Sequence, residues 1–227
     1  MYKETRFLPL NFQPPIDLVY LNVRKSVFSS HLHTRTPAQE LAFLMSWGAL
    51  LQPDLILEGS VMTLTPEILQ KYQLKGLVLD VDETLVPLKV AQASEELHQW
   101  VEQIRQVAQM WLVSNNLSET RIGRIARALN LPYLYGASKP SRRKLRQAVN
   151  AMNLPVEQVG MVGDRLFTDV LAGNRLGMFT ILVEPIVPPA QAIESFGMRA
   201  VEVWVSQVLG ATLPPRQQKF TNVHKFS

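Results

Sequence analysis

The sequence predicts an α/β protein, a doubly wound parallel sheet with helices on both faces. Two observations carry that expectation. From Lys75 onward, short apolar runs of strand length alternate with stretches of helical period. The runs also lack the polar alternation of a sheet with one wet face, as strands buried on both sides do. A third observation concerns placement. The polar residues capable of chemistry gather at the carboxyl ends of the runs, where open parallel sheets bind ligands.

The elements follow in order. "GLVLDV" (76–81) is the first strand of the pattern. Ser94 caps a helix with apolar positions Leu97, Trp100, Val101, Ile104 and Ala108. "MWLVS" (110–114) is the second strand, and a helix with Ile122, Ile125, Ala126 and Leu129 on one face ends at Asn130 and Pro132. "YLYG" (133–136) is a short third strand. Ser141 caps the next helix, built on Leu145, Ala148, Val149 and Met152. "QVGMVGD" (158–164) is the fourth strand, a helix begins near Thr168, and "FTILVEP" (179–185) is the fifth strand. A last amphipathic helix carries Val201, Trp204, Val205 and Val208.

Before and after this pattern the chain reads differently. Residues 1–44 are expected to be an irregular extension, 45–210 the folded domain, and 211–227 a disordered tail with paired prolines and scattered lysines. Coherent patterning begins near Met45, which makes that methionine an alternative start. His31 and His33 form an H-x-H without acidic or histidine neighbours, too weak a motif for a metal site.

The 227 residues are 47% hydrophobic and 19% charged, enough for a sizeable core in one domain. With no cysteine, disulfides, a thiol nucleophile and cysteine metal sites are excluded. The net charge of +4 and pI near 9.4 favour anionic partners in general. No stretch reaches the roughly 20 apolar residues of a membrane span. The apolar "LAFLMSWGALL" (41–51) is long enough only for a buried or interfacial segment. A cytoplasmic protein is expected, touching a membrane surface at most.

The strand ends hold a restrictive mixture. The first ends in Asp80-Val81-Asp82-Glu83-Thr84, the second in Ser114-Asn115-Asn116. Lys139 follows the third, and the fourth ends in Gly163-Asp164 with Asp169 beyond it. Crowded carboxylates raise one another's pKa unless a cation sits among them. Asp80 and Asp164 at neighbouring strand tips suit a hard divalent ion, and Mg²⁺ binds one or two carboxylates while sharing its other positions with water and phosphate. The Lys139 ammonium and Ser114 hydroxyl are donors suited to phosphate oxygens. Asp80, last on its strand, can attack phosphorus as a nucleophile, and Asp82, beyond the turn, can move the proton of the leaving oxygen and of water.

Asp80-x-Asp82-x-Thr84, Ser114-Asn115, Lys139-Pro140 and Gly163-Asp164-x-x-x-x-Asp169 resemble, in order and setting, the four motifs of haloacid dehalogenase-type (HAD) phosphatases. The resemblance spans about residues 75–185 and implies the Rossmann-like HAD fold. It also implies Asp80 as nucleophile and metal ligand, and Asp82 as acid/base that ligates metal through its backbone carbonyl. Thr84, Ser114 and Asn115 fall to the phosphoryl group, Lys139 to charge neutralisation, and Asp164 to Mg²⁺. Asp169 and Gly163 fall to support of that shell. "LKGLVLDVDETLVPL" and "VGDRLFTDVLAGNRLGM" resemble more narrowly the YqeG-type subfamily, which includes phosphatidylglycerophosphate phosphatases. Many such members carry Asn where Glu83 stands, so Glu83 is expected either to point outward or to add negative charge near the site.

Residues 86–113 and 116–138 leave no room for a cap domain beyond a helix and a strand each. An uncapped site suits a phosphate presented on something large. Arg142, Arg143, Lys144 and Arg146 lie just past Lys139 and are expected either as a solvated face or as attraction for an anionic lipid, while Arg121, Arg124 and Arg127 read as a solvated helix stripe. "LMSWGALL" with Trp47 reads as packed on its own domain or as an interfacial anchor. The first expectation is thus a phosphorylated, anionic lipid substrate and no nucleic acid. The alternatives are a phosphoprotein, nucleotide or sugar phosphate, or a non-catalytic phosphate-binding module.

Overall fold

Leu77, Val78 and Leu79 are all fully buried, as a strand covered on both faces requires. They belong to β2 (Gly76–Leu79) of the computed structural model, which describes residues 48–90 and 92–186. The other strands are β1 (Leu55–Ile56), β3 (Gln109–Val113), β4 (Tyr133–Leu134), β5 (Val159–Gly163) and β6 (Phe179–Leu182). All pairings are parallel, in the order β1-β6-β5-β2-β3-β4. The α-helices lying wholly within the described residues are α1 (Pro66–Lys71), α2 (Glu95–Arg105), α3 (Glu119–Ala128), α4 (Arg143–Met152) and α5 (Leu171–Leu176).

The winding sets the position of the site. From β2 the chain moves outward through β3 and β4, then returns to β5 on the other side of β2 and continues to β6. Strand order reverses between β2 and β5, where a crevice opens beyond the carboxyl ends. Side chains of β2 alternate between two cores. Leu77 and Leu79 join Trp100 and Ile104 of α2 and Ile122 and Ile125 of α3, whereas Val78 joins Leu145 and Ala148 of α4 and Ala172 of α5. The expected doubly wound α/β architecture is therefore present.

Local signals account for the helices. Ser94 Oγ accepts the Leu97 N–H at 3.2 Å, a cap on the donors left open at a helix start. All the periodic apolar positions expected on α2, α3 and α4 are buried. Ser141 differs from expectation. Its N–H closes a turn onto Ser138 O, so the helix starts later, with Arg142 at the cap position and Ser141 Oγ only 3.5 Å from Arg143 N. The helix expected near Thr168 is a single wide turn over Leu166–Val170 that runs into α5.

β1 was not expected, and it extends the sheet beyond β6. The Asp54 carboxylate accepts from Thr180 N at 2.8 Å and from Thr180 Oγ1 at 2.9 Å, fixing that edge. Just before it, Leu51 is fully buried among Leu166, Val170, Leu171 and Leu182, so the described end of "LMSWGALL" is core. Trp47 lies outside the described residues. So do the 1–44 extension with His31 and His33, the helix expected at 201–208, and the tail from 211. Among the described residues, no helix is long and apolar enough to cross a membrane.

The segment 86–113 is taken up by a loop, α2 and β3, and 116–138 by a turn, α3 and β4, so neither described interval carries an inserted domain.

Candidate active site

Asp80 extends β2 by one residue, its N–H donating to Val162 O of β5 at 2.9 Å. The chain then turns sharply. Leu85 and Val86 both donate to Val81 O, Glu83 N donates to Val86 O at 2.8 Å, and Glu83 takes a φ of 64°. This turn sends the two aspartates of D-x-D in different directions. Asp80 points into the buried crevice and Asp82 toward α3.

Lys139 is placed by the end of β3. Asn115 holds its backbone from both sides, with Oδ1 accepting from Lys139 N at 2.7 Å and Nδ2 donating to Lys139 O at 3.2 Å. Ala137 N donates to Ser114 O at 2.8 Å, drawing the same loop inward. The buried ammonium contacts Asp80 Oδ1 at 2.5 Å and Asp169 Oδ1 at 2.7 Å and donates to Val113 O at 3.0 Å. Its three donors are thus committed.

Asp169 reaches Lys139 because of the wide turn at Leu166–Val170 and because of Gly163. Any Cβ at Gly163 would lie 2.4 Å from Asp169 Cγ, so only glycine admits this approach. Asp164, next to it, accepts from the fully buried Thr84 Oγ1 at 3.0 Å and has Arg165 Nε 3.7 Å away. One oxygen from each of Asp80, Asp164 and Asp169 falls within 4.8 Å of the others.

Three buried carboxylates against the Lys139 ammonium and the partly exposed Arg165 leave an excess of negative charge. Burial raises the Asp80 pKa from 3.8 to about 6, with Asp169 adding to the rise and Lys139 opposing it. Burial, then Asp169 and Asp80, raise Asp164 to about 7 against Arg165 and Thr84. Burial alone would lower the Lys139 pKa, but the Asp169 and Asp80 charges outweigh it and hold the ammonium above its usual range. Asp169 Oδ1 has no hydrogen bond of good geometry, only the ionic contact with Lys139. This donor set, all hard oxygen and short of positive charge, fits a Mg²⁺-like cation.

Asp82 stands outside that cluster. Its carboxylate is held by the Arg121 guanidinium, by Asn116 Nδ2 at 3.0 Å and by Ser114 Oγ at 3.4 Å. Its backbone carbonyl remains the route to metal that the sequence resemblance implies. Arg121 also donates to Pro87 O at 3.2 Å and Val90 O at 2.8 Å. The expectation of a solvated stripe therefore fails at Arg121, which is largely buried because the loop after Asp82 folds over the start of α3. Arg124 is exposed, as a stripe residue should be.

Asn116, Arg121 and Arg165 are the site-lining residues that sequence reasoning did not pick out. One signal was available for Arg121, a cation in the first turn of a helix, where the macrodipole disfavours it without a carboxylate partner. Glu83 pairs with Arg165 Nη2 at 2.8 Å, and its backbone occupies the left-handed region where Asn is better tolerated. Of the two alternatives for Glu83, the outward one fails: its carboxylate lies near the site, and its charge is paired with Arg165. In the basic cluster past Lys139, Arg142 donates to Arg175 O, and Lys144 donates to Tyr135 O above that residue's ring. Arg143 and Arg146 are exposed.

Known proteins resemble the chain as follows. A family model described as HAD-hydrolase-like matches residues 136–199. The chain is 37% identical over 144 residues to a Bacillus subtilis (strain 168) protein named "Probable phosphatase YqeG", covering 63% of this chain and 83% of that one. It is 36% identical over 84 residues to the chloroplastic phosphatidylglycerophosphate phosphatase 1 of Chlamydomonas reinhardtii, covering 35% of this chain and 30% of that one. Among solved structures, a Listeria monocytogenes serotype 4b protein superposes with a TM-score of 0.41 at 17% identity, over 56% of this chain and 99% of that one.

Proposed function

This chain belongs to the HAD-type phosphatases, phosphoric monoester hydrolases, and on that premise we propose that it removes the terminal phosphate of phosphatidylglycerophosphate at a membrane surface, with Mg²⁺ and an aspartyl-phosphate intermediate. The observation that carries the chemistry is the buried group of Asp80, Lys139, Asp164 and Asp169 at the strand-order reversal. The lipid reading is supported by the uncapped intervals and by similarity to the chloroplastic phosphatase over part of its length.

Asp80 attacks phosphorus, and the bond to the leaving alcohol breaks as Asp82 delivers a proton to its oxygen. Asp82 then takes a proton from water. The resulting attack on phosphorus releases inorganic phosphate and restores Asp80. Lys139 holds Asp80 in place and offsets the charge that grows on the phosphoryl oxygens. Mg²⁺ held by Asp80, Asp164 and the Asp82 carbonyl would supply further charge neutralisation for the phosphoryl group. Thr84 keeps Asp164 oriented, and Asn115 does the same for Lys139 through its backbone.

The test is phosphate release from phosphatidylglycerophosphate vesicles with Mg²⁺ and with excess EDTA, beside a nucleotide, a sugar phosphate and a phosphopeptide. Mg²⁺-dependent release from the vesicles, well above that from the soluble substrates, is expected. Preference for a soluble substrate would shift the assignment to that class, and no release from any would leave a phosphate-binding module.

Asp82's proton work depends on where Arg121 holds it. Arg121→Ala should therefore slow hydrolysis of alkyl phosphates by about 10- to 100-fold, a share of the roughly 10²–10⁴ that general acid–base catalysis supplies. p-Nitrophenyl phosphate, whose leaving group needs little protonation, should lose far less. Equal losses on both substrates would make Arg121 a purely structural residue.

A further inference from the structure

Among the described residues, three large apolar side chains are exposed: Leu88 at 47%, Val90 at 40% and Leu117 at 81%. All three stand at the carboxyl end of the sheet. Leu88 and Val90 are on the loop after Asp82, and Leu117 lies between Asn116 and the start of α3. Arg121 joins the two segments, gripping Asp82 together with the carbonyls of Pro87 and Val90. The apolar residues are thus pinned beside the acid/base carboxylate.

Cations are interleaved with them. Lys89 is exposed between Leu88 and Val90. A Cβ on Gly136 would lie 3.2 Å from Leu117 Cδ2 and 3.8 Å from Lys144 Nζ, which places that ammonium next to Leu117. Glu119, at the start of α3, is an acidic residue of the same neighbourhood. Single exposed apolar residues are ordinary, but three at one mouth, interleaved with lysines, match the make-up of an interfacial contact.

We propose that Leu88, Val90 and Leu117, with Lys89 and Lys144, form a rim that seats the mouth of the site on an anionic lipid surface. The placement rests on the phosphomonoesterase reading in one respect. Asp82 faces the leaving group, so the leaving group passes over this rim. A sugar offers the three side chains nothing apolar to meet and a nucleoside only the face of one base, whereas a lipid bilayer meets all three. The lysines add electrostatic attraction to the anionic headgroups at the surface.

The test is flotation of the full chain with vesicles of phosphatidylcholine and phosphatidylglycerol in equal parts, and with phosphatidylcholine alone. Wild-type protein should float with the mixed vesicles, and the double variant Leu88→Ser/Leu117→Ser should bind about tenfold or more weakly. Lys89→Gln, an exposed change that does not burden folding, should weaken binding to the mixed vesicles about fivefold and leave the neutral ones unaffected. These losses support the rim whether or not phosphate is released, and release from phosphatidylglycerophosphate in the same vesicles decides the substrate reading separately. No wild-type binding, or binding by the double variant equal to wild type, overturns the rim. So does a wild-type dimer in light scattering that becomes a monomer in the double variant, because the apolar residues would then serve a second copy of the chain.

Discussion

Asp80→Asn is expected to abolish phosphate release while leaving the fold standing. The amide cannot act as the nucleophile, so the loss should be about 10⁴-fold or more, of the size seen when a catalytic nucleophile is removed elsewhere. Retention of the fold follows from the electrostatics. Asp80 is one of three clustered buried carboxylates and pairs, with Asp169, to the Lys139 ammonium; replacing its charge relieves repulsion while Lys139 keeps Asp169 and Val113 O. The pH dependence of stability offers a second readout. Asp80 and Asp164 bind protons more tightly in the native state than in the unfolded chain, with values of about 6 and about 7 against 3.8. Their protonation therefore favours the fold at low pH, and that contribution is lost as pH rises through those values. In Mg²⁺-free buffer the wild-type melting temperature should fall across that window, and the variant should fall less. Near-normal turnover by Asp80→Asn would remove it as the nucleophile, and an identical pH slope would remove it from the charge cluster.

Lys139→Met should damage both activity and stability. The substitution keeps most of the volume but takes the Lys139 ammonium from between Asp80 and Asp169, where it lies at 2.5 and 2.7 Å. Breaking a buried ion pair by removing one partner costs about 3–5 kcal/mol. The melting temperature should drop most above pH 7, where the carboxylates are ionised, and added Mg²⁺ should recover part of the drop. Turnover should fall by about 10²–10³-fold, the scale of losing one preorganised electrostatic donor. Unchanged kinetics in a folded Lys139→Met protein would exclude the ammonium from the reaction.

The two variants differ because Asp80 and Lys139 stand on opposite sides of the same charge balance. One variant lightens an excess of negative charge and the other deepens it. Opposite shifts in metal-free stability, alongside losses of activity in both, would be hard to produce by general damage to the fold.

Much of this organisation is legible along the chain. Buried strands such as Leu77-Val78-Leu79 need no long-range information, since an unbroken apolar run followed by carboxylates already marks a strand tip. The periodic faces of α2, α3 and α4, and the Ser94 cap, are likewise local properties. The order Asp80, Ser114, Lys139, Asp164 along alternating strands and helices was enough to bring them to one edge, because a doubly wound sheet places every carboxyl end there.

What only the tertiary structure decided are contacts between segments distant in sequence. Arg121 looks like one more solvated arginine until the loop after Asp82 folds over it, and Glu83 has no role until Arg165 meets it from just past the end of β5. Asn115 reads from the sequence as a phosphate contact, and the fold gives its amide a second task, holding the Lys139 backbone. The two-residue β1 is held by Asp54 and its partner strand more than by its own propensity. The physical reason is common to these cases. Periodicity and motif spacing record which face a residue presents, whereas the partner of a charged or amide side chain is set by which chain segment the packing of the sheet brings within about 3 Å.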